Sequence, residues 1–408
     1  MSQSPKLAYI VSRFPTVTET FILREMIEVE RQRMPISLFT LIKDSPDVVH
    51  EEAKPWVERA QTVSYLSRQL ISANLRALWA QPILYITLLW ITIHDLWGCW
   101  NFFLRDVFLF PKAVAFAQIM ERQGIEHLHA HWATHTAYAA YIVHRLNGIP
   151  FSFTAHAHDI YIRKAMLCRK IEAAAFVATI SEFNVRELTA DCGEQVRSKI
   201  HVVRCGVAVP PVLPQPAQAD QPFTILTVAS LRDYKGHPYA IQACQLIRSR
   251  LGAFQWLVIG GGPDRAALEA QIAQAGVGDC FHLLGAKPEH EVHAMMTKTD
   301  LLVMSSIMLP DRRMDGIPVA LMEGMALAVP AVATDVSGIP ELVENNVTGR
   351  LVPERNAGAL ADAIVELYTD RAKARALGQA GRGRIETEFT LSGNAEILIH
   401  LFQDSLKE

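Results

Sequence analysis

Twelve short runs rich in apolar and β-branched residues recur along this chain, spaced by stretches long enough for a helix, and that alternation constrains its fold more than any other feature. Six lie in the first half, at Leu7–Ser12, Ile36–Leu41, His127–Trp132, Phe151–His156, Phe176–Ser181 and Ile200–Arg204. Six more follow, at Phe223–Ser230, Phe254–Ile259, Cys280–Gly285, Leu301–Ser306, Val329–Thr334 and Gly349–Val352. Strands joined through helix-length crossovers pair in parallel, and a parallel sheet needs helices on both faces to bury it. The sequence therefore predicts an α/β protein of two doubly wound domains.

The boundary falls in Ala208–Pro222, where five prolines in fifteen residues forbid regular structure and favour an extended connector. A first domain over 1–207, a linker over 208–222 and a second domain over 223–385 suit a chain of 408 residues. Lys373–Leu406 reads as helical, with Gly378, Gly381 and Gly383 as candidate breaks. Its last part, 386–408, is expected as a terminal helix packing back on the first domain.

Charge narrows the partners. The 39 basic and 42 acidic residues are mixed along the chain with no long basic run, which argues against nucleic acid. The six cysteines are scattered without a CxxC pair, and Met1–Lys6 leads into Leu7–Val11 without the features of a secretion signal. A cytoplasmic protein is expected. Pro82–Leu104 is almost wholly apolar and long enough to span a bilayer, but Asp95 in mid-membrane would cost roughly 2.5 to 3.5 kcal/mol. Two readings stay open for it: a buried helix pair, or a patch resting on the inner face of the membrane, with Trp79, Trp90, Trp97, Trp100, Phe102 and Phe103 between Arg76 and Arg105.

Ligands of open parallel sheets sit beyond the carboxyl ends of the strands, where free N–H groups of helix starts point outward. Three such junctions stand out. Gly260-Gly261-Gly262-Pro263 lets backbone approach a ligand, but it matches neither GxGxxG nor a P-loop, which removes the main support for a dehydrogenase or P-loop kinase. Leu231–His237 places Lys235 beside a helix start, where an ammonium suits a diphosphate. In Asp315–Ala326, Pro318 fits a first helical turn, Gly316 and Ile317 leave N–H groups free, and Glu323 is a carboxylate among apolar neighbours that demands a partner.

In this ordered set the second half resembles the family 4 glycosyltransferases of the GT-B architecture, two Rossmann-like domains facing across a cleft. The matching residues are Val228-Ala229-Ser230-Leu231 through Lys235-Gly236, Gly260–Pro263, Gly285, the segment from Asp315 to Glu323, and Ser337-Gly338-Ile339-Pro340-Glu341. The first half adds Phe14-Pro15, Glu19-Thr20-Phe21-Ile22, His129-Ala130-His131-Trp132, Phe153–Asp159 and Thr179–Glu182, which look like the branch that builds bacterial exopolysaccharides such as colanic acid. The resemblance implies a retaining hexosyltransferase that uses a UDP- or GDP-sugar and a saccharide acceptor, polyprenyl-diphosphate-linked, with no cofactor.

By position, the resemblance gives Glu323 the ribose hydroxyls, and Asp315 with the N–H groups of Gly316 and Ile317 the transferred sugar. Lys235 neutralises the leaving diphosphate, His156 stands near the reacting sugar, and Gly261 and Gly262 line the donor cleft. Asp315 replaces the family's usual glutamate, and Ser230 stands where the family has arginine; Arg232, two residues on, would face the same way if the strand continued. His127, His129 and His131 share one face of a strand, which offers a metal site, but no DxD-type carboxylate pair accompanies them and hydrogen-bonded histidines are the commoner arrangement. No metal is expected. Two rivals keep the fold: a nucleotide-sugar 2-epimerase, and a catalytically idle protein that binds sugar nucleotide or membrane.

Overall fold

All twelve runs are strands in the computed structural model, which describes residues 5–16, 19–44, 51–97, 100–162, 164–211 and 222–407. They are β1 (Leu7–Phe14), β2 (Ile36–Lys43), β3 (His127–His131), β4 (Phe151–Ala155), β5 (Phe176–Thr179) and β6 (Ile200–Val202), then β7 (Phe223–Val228), β8 (Phe254–Ile259), β9 (Phe281–Gly285), β10 (Leu301–Met304), β11 (Ala331–Thr334) and β12 (Arg350–Val352). They form two parallel six-stranded sheets, ordered β2-β1-β3-β4-β5-β6 and β12-β11-β10-β7-β8-β9. β3, β4, β5, β10 and β11 are buried at every residue, as strands covered on both faces must be.

Each order reverses direction once. From β1 the chain crosses to β2 on one side and then returns past β1 to β3 on the other; from β7 it crosses to β8 and β9 on one side and then returns past β7 to β10 on the other. Crossovers that leave in opposite directions cannot cover the carboxyl ends between them, so a crevice opens at β1/β3 and another at β7/β10.

The chain divides into a first unit, Met1–Arg204 with Leu391–Glu408, and a second, Cys205–Thr390. In the first, Phe402 of the helix Leu391–Ser405 packs on His127, His129 and Phe176. Of the expected linker, 212–221 lie outside the described residues; before them, the Pro210 carbonyl accepts from Arg382 at 2.7 Å.

Several expectations are corrected. The helix Arg371–Glu388 runs unbroken through Gly378, Gly381 and Gly383. A Cβ on Gly378 would lie 2.2 Å from the Ala328 carbonyl, and one on Gly381 3.0 Å from that of Thr348, so these two glycines serve close packing. Cys168 and Cys192, scattered in sequence, form a disulfide between the helices Leu167–Ala173 and Glu182–Cys192. Pro82–Leu104, not read as a single span, falls on two helices as expected: one covers Pro82–Leu96, another starts at Trp100, and no single described helix is long and apolar enough to cross a membrane. The side chains of Trp100 and Phe102 lie outside the described residues.

Candidate functional site

The β7/β10 crevice is built by loops packed backbone on backbone. Leu231 N–H donates to the Gly261 carbonyl at 3.0 Å, and Asp264 N–H to that of Leu231 at 3.3 Å. A Cβ on Gly260 would sit 1.9 Å from the Ala229 carbonyl and one on Gly262 2.2 Å from that of Leu231, whereas Gly261 is exposed and open. One turn later Gly236, at φ +66°, brings its Cα against the end of β10, where a Cβ would meet the Ser305 carbonyl at 1.9 Å. The Ser305 hydroxyl ties the two loops by donating to the carbonyls of Lys235 and Gly236 at 3.1 and 3.2 Å.

This frame brings Lys235 to Asp315, eighty residues away. The ammonium lies 2.5 Å from Asp315 Oδ1, with the two side chains 13% and 10% exposed. Oδ2 accepts from the Ser306 hydroxyl at 2.5 Å, and the Ser306 carbonyl accepts from Thr334 at 2.5 Å. Ends of β7, β10 and β11 thus converge on one ion pair. So little exposure would be costly for a lone charge, and the pair persists because each carboxylate oxygen has a donor.

Gly316 and Ile317 follow Asp315 directly. Pro318 is the N-cap of the helix Val319–Ala326 rather than its first residue, and the first turn of any helix leaves N–H groups without an intrahelical acceptor. Glu323, the fifth residue of that helix, is half-buried, and Gly324 beside it lets the helix lie on Leu302 of β10. Ser230 is half-buried and Arg232 exposed; β7 ends at Val228, so strand alternation does not align the two side chains. The buried His237 ring donates its Nε2–H to the Ser230 carbonyl at 3.0 Å, and burial holds its pKa below the usual value. Ser305, Ser306 and Thr334 were not among the residues singled out. Their signal was present in polar residues closing otherwise apolar strand runs, LLVMSS and AVAT.

The β1/β3 crevice holds rings. His127, His129 and His131 do share one face, and hydroxyls partner the first two. Ser152 Oγ lies 2.8 Å from both His127 and His129, Thr154 Oγ1 2.9 Å from His129, and Ser405 Oγ 3.0 Å from His127. His131 Nε2 lies 3.1 Å from Glu25 Oε1, which also accepts from the Tyr9 hydroxyl at 3.1 Å. Glu25, His129 and His131 bring ligand atoms within 4.8 Å of one another, a set with metal-ligand chemistry. Both ring nitrogens of His129 are already engaged by hydroxyls, so the geometry fits a hydrogen-bond network better than a metal centre.

His156, at the end of β4, is buried between the rings of Trp132 and Phe21, with centroids 4.6 and 5.0 Å away. Burial first, then the neighbouring His131, pushes its pKa well below the usual histidine value. Burial likewise holds His127 at about 3 and His129 well below its usual range. Asp159 is structural: its carboxylate accepts from the backbone N–H groups of Ala133, His156 and Ala157. Glu19, just before the helix Thr20–Arg31, joins this crevice as a half-buried carboxyl whose pKa burial raises. It was legible only as part of a motif.

Known proteins fit this architecture. The family model Glycosyltransferase Family 4 matches residues 48–209, and Glycosyl transferases group 1 matches 213–384. The amylovoran biosynthesis glycosyltransferase AmsK of Erwinia amylovora is 41% identical over 169 residues, 41% of this chain and 42% of that protein. WcaL of Escherichia coli, named for colanic acid biosynthesis, is 43% identical over 178 residues, 43% and 44% of the two chains. The chain thus spans less than half the length of these relatives. The crystal structure of Anabaena HepE with UDP and glucose has the same fold, with a TM-score of 0.70 at 14% identity over 98% of this chain and 100% of that one. Two adjoining family matches on two six-stranded parallel sheets make this chain a member of the family 4 glycosyltransferases of the GT-B architecture.

Proposed function

We propose that the chain moves a hexose from a UDP- or GDP-sugar to a saccharide acceptor on a polyprenyl diphosphate, in exopolysaccharide assembly at the inner face of the cytoplasmic membrane. The Lys235–Asp315 pair at the β7/β10 crevice is the observation that carries this reading. A diphosphate entering there offers Lys235 more negative charge than one carboxylate does, and takes the ammonium over. Asp315 is then released to accept from hydroxyls of the sugar, with the N–H groups of Gly316 and Ile317 beside it. Glu323 takes the ribose hydroxyls.

Transfer breaks the bond between the anomeric carbon and the diphosphate oxygen and forms one from the acceptor oxygen on the same face. Negative charge develops on the leaving diphosphate, where Lys235 and the helix start at Val319 are preorganised to meet it. The acceptor proton passes to the departing phosphate oxygen. Configuration is retained, and the chain's own cations serve in place of a metal. His156, neutral through burial, offers one N–H to a sugar hydroxyl.

Calorimetry with UDP and GDP tests the assignment. Glu323→Gln should keep the fold and lose at least about tenfold in nucleotide affinity, since an amide cannot accept two ribose hydrogen bonds as a carboxylate does. Unchanged affinity would refute the ribose role. Nucleotide release that depends on added acceptor separates transfer from epimerisation and from idle binding.

A further inference from the structure

The helices Arg68–Ala80 and Pro82–Leu96 are apolar on two sides. One side is core: Leu70, Ala73, Leu88 and Leu96 are buried. The other carries Leu75, Trp79, Ile83, Ile86, Trp90 and Trp97, each between 59% and 90% exposed. Positions 83, 86 and 90 fall on one line of a 3.6-residue helix, opposite Leu88, where a water-facing helix places charge, and exposed Trp97 follows as the C-cap of that helix. The continuous exposed line marks a binding face rather than scattered surface residues.

Charge says what covers it. Between Gln61 and Met120 the only acidic residues are Asp95 and Asp106. Both are engaged, Asp95 by Arg169 at 2.7 Å and Asp106 by His135 at 2.5 Å. Arg68, Arg76 and Arg105 are exposed and make no ion pair among the described residues. A second copy docking by two-fold symmetry would set these arginines against each other with no acid to offset them. An anionic lipid surface meets both the apolar line and its cationic rim. The helices have 13 and 15 residues, each too short to cross a bilayer alone, and meet at a bend of 113°.

We propose that this face docks the first unit on an anionic bilayer surface, with Trp79, Trp90 and Trp97 in the headgroup region. The inference deepens the acceptor half of the reading above, because a lipid-linked saccharide is presented at that surface.

Flotation of the full chain with vesicles tests it. Wild type should float with phosphatidylglycerol-containing vesicles at low salt, less at high salt, and less with pure phosphatidylcholine. Trp79→Ser, Trp90→Ser and Trp97→Ser combined should reduce flotation at least about tenfold, with melting temperature and nucleotide affinity unchanged. Replacing Arg68, Arg76 and Arg105 by Gln should remove the preference for anionic lipid. Wild type that fails to float would overturn the proposal. So would a triple variant whose melting temperature falls while flotation persists, or a wild-type dimer that the tryptophan changes split. Loss of nucleotide binding with flotation intact would refute the donor assignment instead and leave this inference standing.

Discussion

The crevices at β7/β10 and at β1/β3 arise from the same reversal of strand order, yet they are filled with opposite chemistry. At β7/β10 a lysine and an aspartate face each other at 2.5 Å and low exposure, each the other's counter-ion. At β1/β3, three of the four crowded histidines are pushed below their usual pKa, chiefly by burial, and hydroxyls and rings take the place of counter-ions. Topology opens a crevice, and the local balance of pairing against burial decides whether it offers charge. The first suits an anion; the second suits neutral hydroxyls.

The largest effect expected from that contrast is at Lys235. Lys235→Ala should lower kcat/KM by about 10²–10³, the usual loss on removing one preorganised donor to developing charge. Asp315→Glu, which restores the family's acid, should stay within about tenfold of wild type, whereas Asp315→Ala should not. Steady-state kinetics with a nucleotide-sugar donor measure both. Lys235→Ala with near-normal turnover would erase the distinction between the crevices.

The glycines sharpen the same point through stability. Gly236→Ala forces a side chain into a positive φ and against the Ser305 carbonyl, and should cost about 2–4 kcal/mol in urea unfolding. Gly262→Ala meets the Leu231 backbone and should behave similarly, while Gly261→Ala, with nothing closer than 3.8 Å, should leave stability unchanged. A Gly261 variant that keeps its stability but loses donor affinity would show that ligand, rather than packing, needs that glycine.

The sheets were legible because strands buried between helix layers are short runs rich in apolar and β-branched residues, and all twelve such runs became strands. Lys235, Asp315 and Glu323 were legible as types at strand ends. Their convergence was not, since Lys235 reaches Asp315 only through the close approach of Gly236 to β10. Ser306 and Thr334 escaped notice because a small hydroxyl at a strand end looks like a turn residue until its partner is known. Glu25 escaped because it reads as a solvent-facing helix residue, though it partners Tyr9 and His131. The glycines of Arg371–Glu388 misled, since a glycine used for close helix packing and one that ends a helix are the same letter.

The histidines give a smaller, pH-dependent effect. Their folded pKa values lie below the unfolded value near 6.5, about 3 for His127 and well below for His129 and His156. As pH falls through 6.5 the unfolded chain takes up these protons and the folded one does not, so stability is present above that pH and lost below it. His127 should contribute a slope of about 1.4 kcal/mol per pH unit between 6 and 4, and His129 and His156 act in the same direction. Urea unfolding across that window measures it, and His127→Asn should remove one histidine's share. A flat profile would mean that the rings are charged in the folded state and that the two crevices are alike.

The smallest expected effect is none at all, and it bears on the β1/β3 crevice. Glu25, His129 and His131 are close enough to share a metal, but His129 already has a hydroxyl at each nitrogen, and a metal there would have to break at least one of those bonds. Prolonged EDTA treatment should therefore leave both the melting temperature and the transfer rate of the full chain unchanged. Melting is the sharper readout, because a resident metal stabilises the fold by mass action whether or not it takes part in transfer. A drop in melting temperature after chelation, reversed by zinc or manganese and absent in His129→Gln, would establish a metal at the cluster and make β1/β3 the charged crevice. A loss of rate with melting unchanged would instead place a metal with the donor diphosphate and take from Lys235 the charge assigned to it.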